Sequence, residues 1–152
     1  NGYPISGVIG SSEIMDLPEI GNMSSTHSAN PLGCYAGMAV LDEINDHNLI
    51  AESERKGRKL HKKLKEIKDN SNGLISAVLG KGMIASILFK HPINGLPEIQ
   101  IPSEISEKCM QRGLLVVHTG RESIKLGPPL SISDEALIEG LSIIEEIIGE
   151  YK

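Results

Sequence analysis

Ser25, Thr26 and Ser28 set three hydroxyls just ahead of Asn30-Pro31 and a Gly/Ala-rich stretch, Gly33-Cys34-Tyr35-Ala36-Gly37. Hydroxyls and backbone amides at the start of a helix donate hydrogen bonds to anions, phosphate above all. Asn30 is a strong N-cap residue, and Pro31 suits the first helical position, where no amide hydrogen is needed. The segment therefore reads as a capped helix start able to offer free amides and hydroxyls to an oxyanion. His27 lies within the same loop, where it packs near a ligand or faces solvent.

Other reactive side chains give weaker signals. Cys34 and Cys109 stand far apart without metal-ligand spacing, so no disulfide framework is expected, and Cys34 is expected to be a small buried thiol rather than a nucleophile. His118 follows an apolar strand without evident metal-binding partners, and no metal site is expected. Between Glu54 and Lys68 eight Lys/Arg face two Glu. Leu60, Leu64 and Ile67 recur there at helical spacing, so the cations, Lys56, Lys59, Lys62, Lys63, Lys65 and Lys68 among them, form the solvent side of an amphipathic helix.

These residues must be positioned by a small set of elements. Ile5 to Ile9 reads as a short strand and Glu13 to Asp16 as a brief helical turn. The polar loop 17–30 leads to a helix from Pro31 to about Asp46. Two glycines in its first turns each cost about 1 kcal/mol relative to Ala, which implies close packing there. A second helix runs from Leu49 to Lys68, with Ser53, Gly57, Leu60, Leu64 and Ile67 as its buried stripe. Strands follow at Leu74–Leu79 and Met83–Phe89 around Gly80-Lys81-Gly82. Ser103 is expected to cap a helix closed by Gly113. Leu114–His118 and Ser123–Leu126 read as a hairpin around Gly120-Arg121. Ser133 caps a terminal helix whose Leu137, Leu141, Ile144 and Ile148 face inward, with Asp134 and Glu135 complementing its dipole. From residue 47 onward this predicts an α+β unit, a short antiparallel sheet with helices on one side. The first 46 residues offer one short strand and one helix, too little to fold alone.

Composition narrows the functional classes. Apolar residues make up 39% and charged residues 23%, the balance of a soluble globular chain. Net charge is −5 and aromatics are 3%, which argues against a phosphate-backbone or base-stacking surface. The apolar runs are too short to cross a bilayer. No secretory leader is visible, and unpaired cysteines suit a reducing compartment, so a cytoplasmic location is expected.

The order of motifs adds a resemblance. Asn1-Gly2-Tyr3-Pro4-Ile5-Ser6-Gly7-Val8-Ile9-Gly10 is followed by Ser12-Glu13-Ile14-Met15-Asp16 and by Ser-Thr-His-x-x-Asn-Pro-Leu at 25–32. Ala39-Val40-Leu41-Asp42-Glu43-Ile44 and Ser123-Ile124-Lys125-Leu126-Gly127-Pro128-Pro129-Leu130 come after them. Together they resemble the C-terminal part of class III aminotransferases, pyridoxal-phosphate enzymes of fold type I. The resemblance implies an α/β parent and a homodimer that builds each cofactor site from two subunits. Residues 1–46 would be the end of the large cofactor domain, and 47–152 the small C-terminal α+β domain. The substrates implied are an amine or amino acid and a keto acid or aldehyde; aminomutases and racemases share the scaffold, and a non-catalytic packing domain is the rival from another class. Nucleic acid and membrane are not expected as partners.

Residue by residue, the resemblance makes Thr26 the cofactor-phosphate contact, with Ser25 beside it. Lys125 stands where many family members carry an arginine that holds a substrate carboxylate. A lysine there is a flexible point charge rather than a bidentate fork. Arg121, four residues earlier, supplies the fork instead or is an exposed turn residue. Tyr3, with Ile5, is a candidate pocket-lining substrate contact or a packing residue. The Schiff-base lysine is expected just ahead of Asn1, so this chain carries no catalytic residue and is expected to be inactive alone.

Overall fold

The strand Ser123–Leu126 (β4) alternates strictly: Ile124 and Leu126 are buried, while Lys125 is exposed. Its neighbour Ile84–Phe89 (β2) does the same, burying Ala85, Ile87 and Phe89. Successive side chains on a strand point to opposite faces, so this pattern gives the sheet one covered and one open side. The computed structural model describes residues 3–151. Its backbone divides into two compact units, Asn1–Asn48 and Leu49–Lys152.

The second unit holds the sheet. Ile75–Lys81 (β1), β2, Val117–His118 (β3) and β4 lie in the order β1-β2-β4-β3, each neighbouring pair antiparallel. Gly82, with φ of 57°, turns the β1–β2 hairpin, and Lys81 pairs with Ile84 across it, a geometry that favours glycine. Three helices cover the buried face. Leu49–Asp69 (α3) contributes Leu60, Leu64 and Ile67, Gln100–Gln111 (α4) contributes Ile105 and Cys109, and Asp134–Gly149 (α5) contributes Leu137, Leu141, Ile144, Ile147 and Ile148. The antiparallel sheet with helices on one side is the expected α+β arrangement.

Several local expectations are corrected. No strand forms at Ile5–Ile9, because the first unit offers no second strand to satisfy its backbone groups. Helix α4 begins at Gln100, ahead of Ser103. The Glu98 carboxylate accepts from the amides of Gln100 and Ile101, and Pro102 falls in the first turn, where its missing N–H leaves no carbonyl unpaired. Strand β3 is limited to Val117–His118. Lys56 is buried rather than solvated, with 7% of its surface exposed.

Among the other cations of α3, Arg55, Arg58, Lys59 and Lys63 pair with carboxylates, while Lys62 and Lys65 are exposed as expected. Arg55 and Lys59 both reach Asp134 at the start of α5, at 2.9 and 3.0 Å, and Lys63 reaches Glu145 at 2.7 Å. The α3 run is thus partly an interhelical seam, closed by acids of the terminal helix.

In the first unit, Ser12–Met15 (α1) is a single turn, and Pro31–Asp46 (α2) is the one long helix of its described residues. Tyr3 and Ile5 lie over Gly33 and Gly37: a Cβ on Gly33 would sit 3.1 Å from the Tyr3 ring, and one on Gly37 would sit 3.7 Å from Ile5 Cδ1. The helical glycines have the packing reason their spacing implied.

Two tests follow. Gly57 packs on the hairpin tip, and a Cβ there would lie 2.6 Å from the Gly82 backbone. Gly57→Ala gains about 1 kcal/mol of helix propensity, but the overlap is with backbone and no side-chain rotation relieves it. The expected net is a loss of about 1–2 kcal/mol in urea unfolding; a gain would mean that the contact yields. Second, Lys59 and then Arg55 hold the Asp134 carboxyl below its ordinary value by hydrogen bonding. That stabilisation is present above the unfolded carboxylate range and is lost as pH falls through the lowered folded value. Asp134→Asn should therefore lower stability at neutral pH and flatten the acid limb below about pH 4, read as urea midpoint against pH.

Candidate functional site

The loop before α2 is built from its own short side chains. The Ser25 amide donates to Ser28 Oγ at 3.0 Å, the two seryl oxygens lie 3.3 Å apart, and the Ser28 amide returns to the Ser25 carbonyl at 3.0 Å. Ala29 then takes a left-handed φ of 53°, and the chain enters the helix through Asn30. All residues from Ser25 to Asn30 are exposed.

Asn30 changes the expected donor set. Its Oδ1 accepts from the amides of Leu32 at 2.9 Å and Gly33 at 3.3 Å, and its carbonyl accepts from Cys34 at 2.9 Å. Pro31 has no amide hydrogen. The cap thus takes the Leu32 and Gly33 amides, which narrows the expected free amides at the helix start to those of Ala29 and Asn30, unpartnered among the described residues. Further unoccupied donors lie one turn earlier. Among the described residues, the Thr26 hydroxyl and the amides of Thr26 and His27 have no hydrogen-bond partner. Thr26 is thus the better donor of the two candidates, since the Ser25 hydroxyl is already engaged with Ser28.

Tyr3 sits against this helix start. Its hydroxyl donates to Asn30 Oδ1 at 3.4 Å and its ring covers Gly33, leaving the residue 38% exposed. Cys34 is exposed rather than buried, because Tyr3 and Ile5 cover the Gly33/Gly37 side of α2. Cys109 is the buried thiol, and burial pushes it up to about 11, which keeps it protonated and inert near neutrality.

In the second unit, Lys125 lies on the open side of the sheet, opposite Ser86 on β2 and Val117 on β3. Ile84 and Val117 are exposed in the strands beside it. The cation thus stands on a partly apolar surface with its backbone fixed by pairing on both sides. Arg121 occupies the β3–β4 turn, where its carbonyl lies 3.0 Å from His118 Nε2; its guanidinium is exposed. Among the described residues no group of His, Cys, Asp and Glu has the arrangement of a metal site, and no helix is long and apolar enough to cross a membrane.

Lys56 is the residue whose setting the sequence reading missed. Its Nζ donates to the carbonyls of Leu130 at 3.1 Å and Ile132 at 2.6 Å. The signal was present: Lys56 lies three residues after Ser53 and four before Leu60, on the edge of the buried stripe.

Comparison with known proteins agrees with this architecture. The family model for class III aminotransferases matches residues 1–148. The chain is 31% identical over 150 residues to the mitochondrial acetylornithine aminotransferase of Debaryomyces hansenii, covering 99% of this chain and 31% of that protein. It is 37% identical over 147 residues to a probable 4-aminobutyrate aminotransferase of Bacillus subtilis, covering 95% of this chain and 34% of that protein. The crystal structure of acetylornithine aminotransferase from Elizabethkingia anophelis superposes with a TM-score of 0.82 at 32% identity, covering 93% of this chain and 34% of that one. This chain belongs to the class III aminotransferase family, and its fold is that of part of a fold type I transferase. It spans about a third of the length of these relatives.

The cap assignment has its own test. Asn30→Ala should destabilise the start of α2 by about 1 kcal/mol, read as roughly fivefold faster exchange of the Leu32 and Gly33 amides. Unchanged exchange would show that another group caps the helix.

Proposed function

We propose that this chain forms part of a pyridoxal-phosphate-dependent aminotransferase, in which it grips the cofactor phosphate and a substrate anion and supplies no catalytic residue. The observation that carries this reading is the exposed Thr26 loop, with its hydroxyl and two amides unoccupied, in a chain matched by the family model over residues 1–148. Those donors fit the phosphate end of the cofactor in chemistry: a hydroxyl and neutral amides suit a group that brings its own negative charge. When bound, pyridoxal phosphate supplies an electron sink for charge developing beside the amino nitrogen.

The residues of this chain then do the holding. Thr26 donates Oγ1–H to a phosphate oxygen, with the His27 amide beside it. Ser25 braces the loop through Ser28 and contributes a weaker second contact. Tyr3 keeps the helix start in place and borders the substrate pocket. Lys125 attracts a substrate carboxylate as a point charge, with less angular selectivity than an arginine fork. The lysine that bonds the cofactor is assigned to the remainder of the protein, as is the base that moves the proton at the reacting carbon. The reaction class is amino-group transfer between an amine or amino acid and a keto acid or aldehyde. We assign the phosphate gripped by Thr26 to the neighbouring subunit of a homodimer, in keeping with the resemblance noted above. The acetylornithine and 4-aminobutyrate aminotransferases named above support an amino acid with a second, distal polar group as donor.

The test uses the complete protein that carries this chain. Thr26→Val removes one charge-assisted hydrogen bond, for which the expected loss of about 1.5–3 kcal/mol corresponds to roughly tenfold to hundredfold weaker cofactor binding. Titration of apoprotein with pyridoxal phosphate, followed by its visible absorbance, reads this directly. Wild-type affinity in the variant would remove Thr26 from the site.

A further inference from the structure

We infer that Lys56 is a positioning residue that fixes the return loop after β4, and through it the placement of Lys125. The functional half of this inference rests on the substrate role proposed above for Lys125.

The loop from Gly127 to Ser133 joins the end of β4 to the cap of α5. Pro128 and Pro129 carry no amide hydrogen, so this stretch cannot extend the pairing of β4 with its neighbours. Inside it the Ile132 amide donates to the Pro129 carbonyl at 3.0 Å, and the rest of its hold comes from outside. The Lys56 ammonium does so from α3, donating to the Leu130 and Ile132 carbonyls at 3.1 and 2.6 Å, with the Glu52 carboxylate 3.9 Å away. Arg55 and Lys59, on the same side of α3, take hold of Asp134 just beyond the loop. Three cations within little more than one helical turn therefore tether residues 130–134.

Of the three, Lys56 is the buried one. Arg55 and Lys59 pair with a carboxylate in partly exposed settings, where water can substitute for them. Lys56 instead meets backbone carbonyls in a site with 7% of the residue exposed. Removing this buried ammonium takes two charge-assisted hydrogen bonds from the Leu130 and Ile132 carbonyls at once, so it should loosen the loop itself instead of merely weakening an ion pair. Only Gly127 separates Leu126, the last residue of β4, from Pro128, so displacement of the loop bears on the strand end that carries Lys125.

The experiment has two arms. In the complete protein that carries this chain, hydrogen exchange is compared between wild type, Lys56→Met, which keeps the side chain's length without its donors, and Lys56→Gln, which keeps one amide donor group. Lys56→Met should speed exchange in residues 127–133 by about tenfold or more, with α3 and α5 protection retained and Lys56→Gln intermediate. In the complete enzyme, Lys56→Met should raise KM for a keto acid about tenfold. KM for an uncharged aldehyde and kcat should each stay within about threefold, and the KM effect should be largely absent in a Lys125→Gln background. Unchanged exchange in 127–133 overturns the inference, as does an equal loss on both substrates, the sign of general destabilisation. Should Lys125→Gln alone leave the keto-acid KM unaltered, the substrate role of Lys125 falls and takes the functional half with it. The exchange arm decides the loop anchor independently.

Discussion

The alternation of β2 and β4 is the constraint on which the second unit depends. Ala85, Ile87, Phe89, Ile124 and Leu126 form one apolar layer, and three helices close over it. Because strand side chains repeat every two residues, a slip of one residue in β4 would push Lys125 into that layer and turn Ile124 and Leu126 out. Burying an unpaired ammonium costs several kcal/mol, and exposing two large aliphatic side chains forfeits about 1.5–3 kcal/mol each. The register Ser86 to Lys125 and Ile87 to Ile124 is therefore enforced by the core. Core packing thus decides on which face of the sheet the cation stands, before any ligand is considered.

Helix α3 shows how one run of positive charge divides into different physical roles. Arg58 bonds Glu54 along its own helix with both side chains mostly exposed, a pair worth a few tenths of a kcal/mol. Arg55, Lys59 and Lys63 cross to α5, where pairing is partly shielded and couples two elements far apart in sequence. Lys56 leaves the ion-pair seam and joins the backbone of the return loop. The charge run thus loses most of the uniform cationic surface that a nucleic-acid interface requires.

Most elements of the second unit were legible in the sequence because their periods are strong. Of the α3 stripe, Gly57, Leu60, Leu64 and Ile67 are buried and Ser53 half-buried; the α5 stripe Leu137, Leu141, Ile144 and Ile148 is buried, joined by Ile147, and Ser133 does accept from the Ala136 amide. Failures came where a residue's role depended on a neighbour that sequence distance hides. Ser103 looked like a cap until Glu98 took that role from two residues before the helix. Lys56 looked solvated because its partners, Leu130 and Ile132, lie more than seventy residues away. At the loop, Asn30 was correctly read as a cap, but its effect on the anion donors was not: a cap that satisfies two amides withdraws both from any ligand. Thr26 retains its importance for the opposite reason, since its donors are bonded to nothing among the described residues.

The first unit poses a different balance. Of its described residues only Gly33 is buried, while Ile9, Ile20, Met23, Leu32, Tyr35 and Leu41 are largely exposed. Helix α2 presents apolar side chains around much of its circumference, the pattern of a helix enclosed on several sides. Its local devices are sound: Asn30 caps it, Pro31 opens it, and the Tyr3 ring closes over Gly33. Such devices contribute about 1 kcal/mol each, against about 1–2 kcal/mol of backbone entropy for every residue ordered. Capping can thus specify where α2 begins but cannot keep it folded.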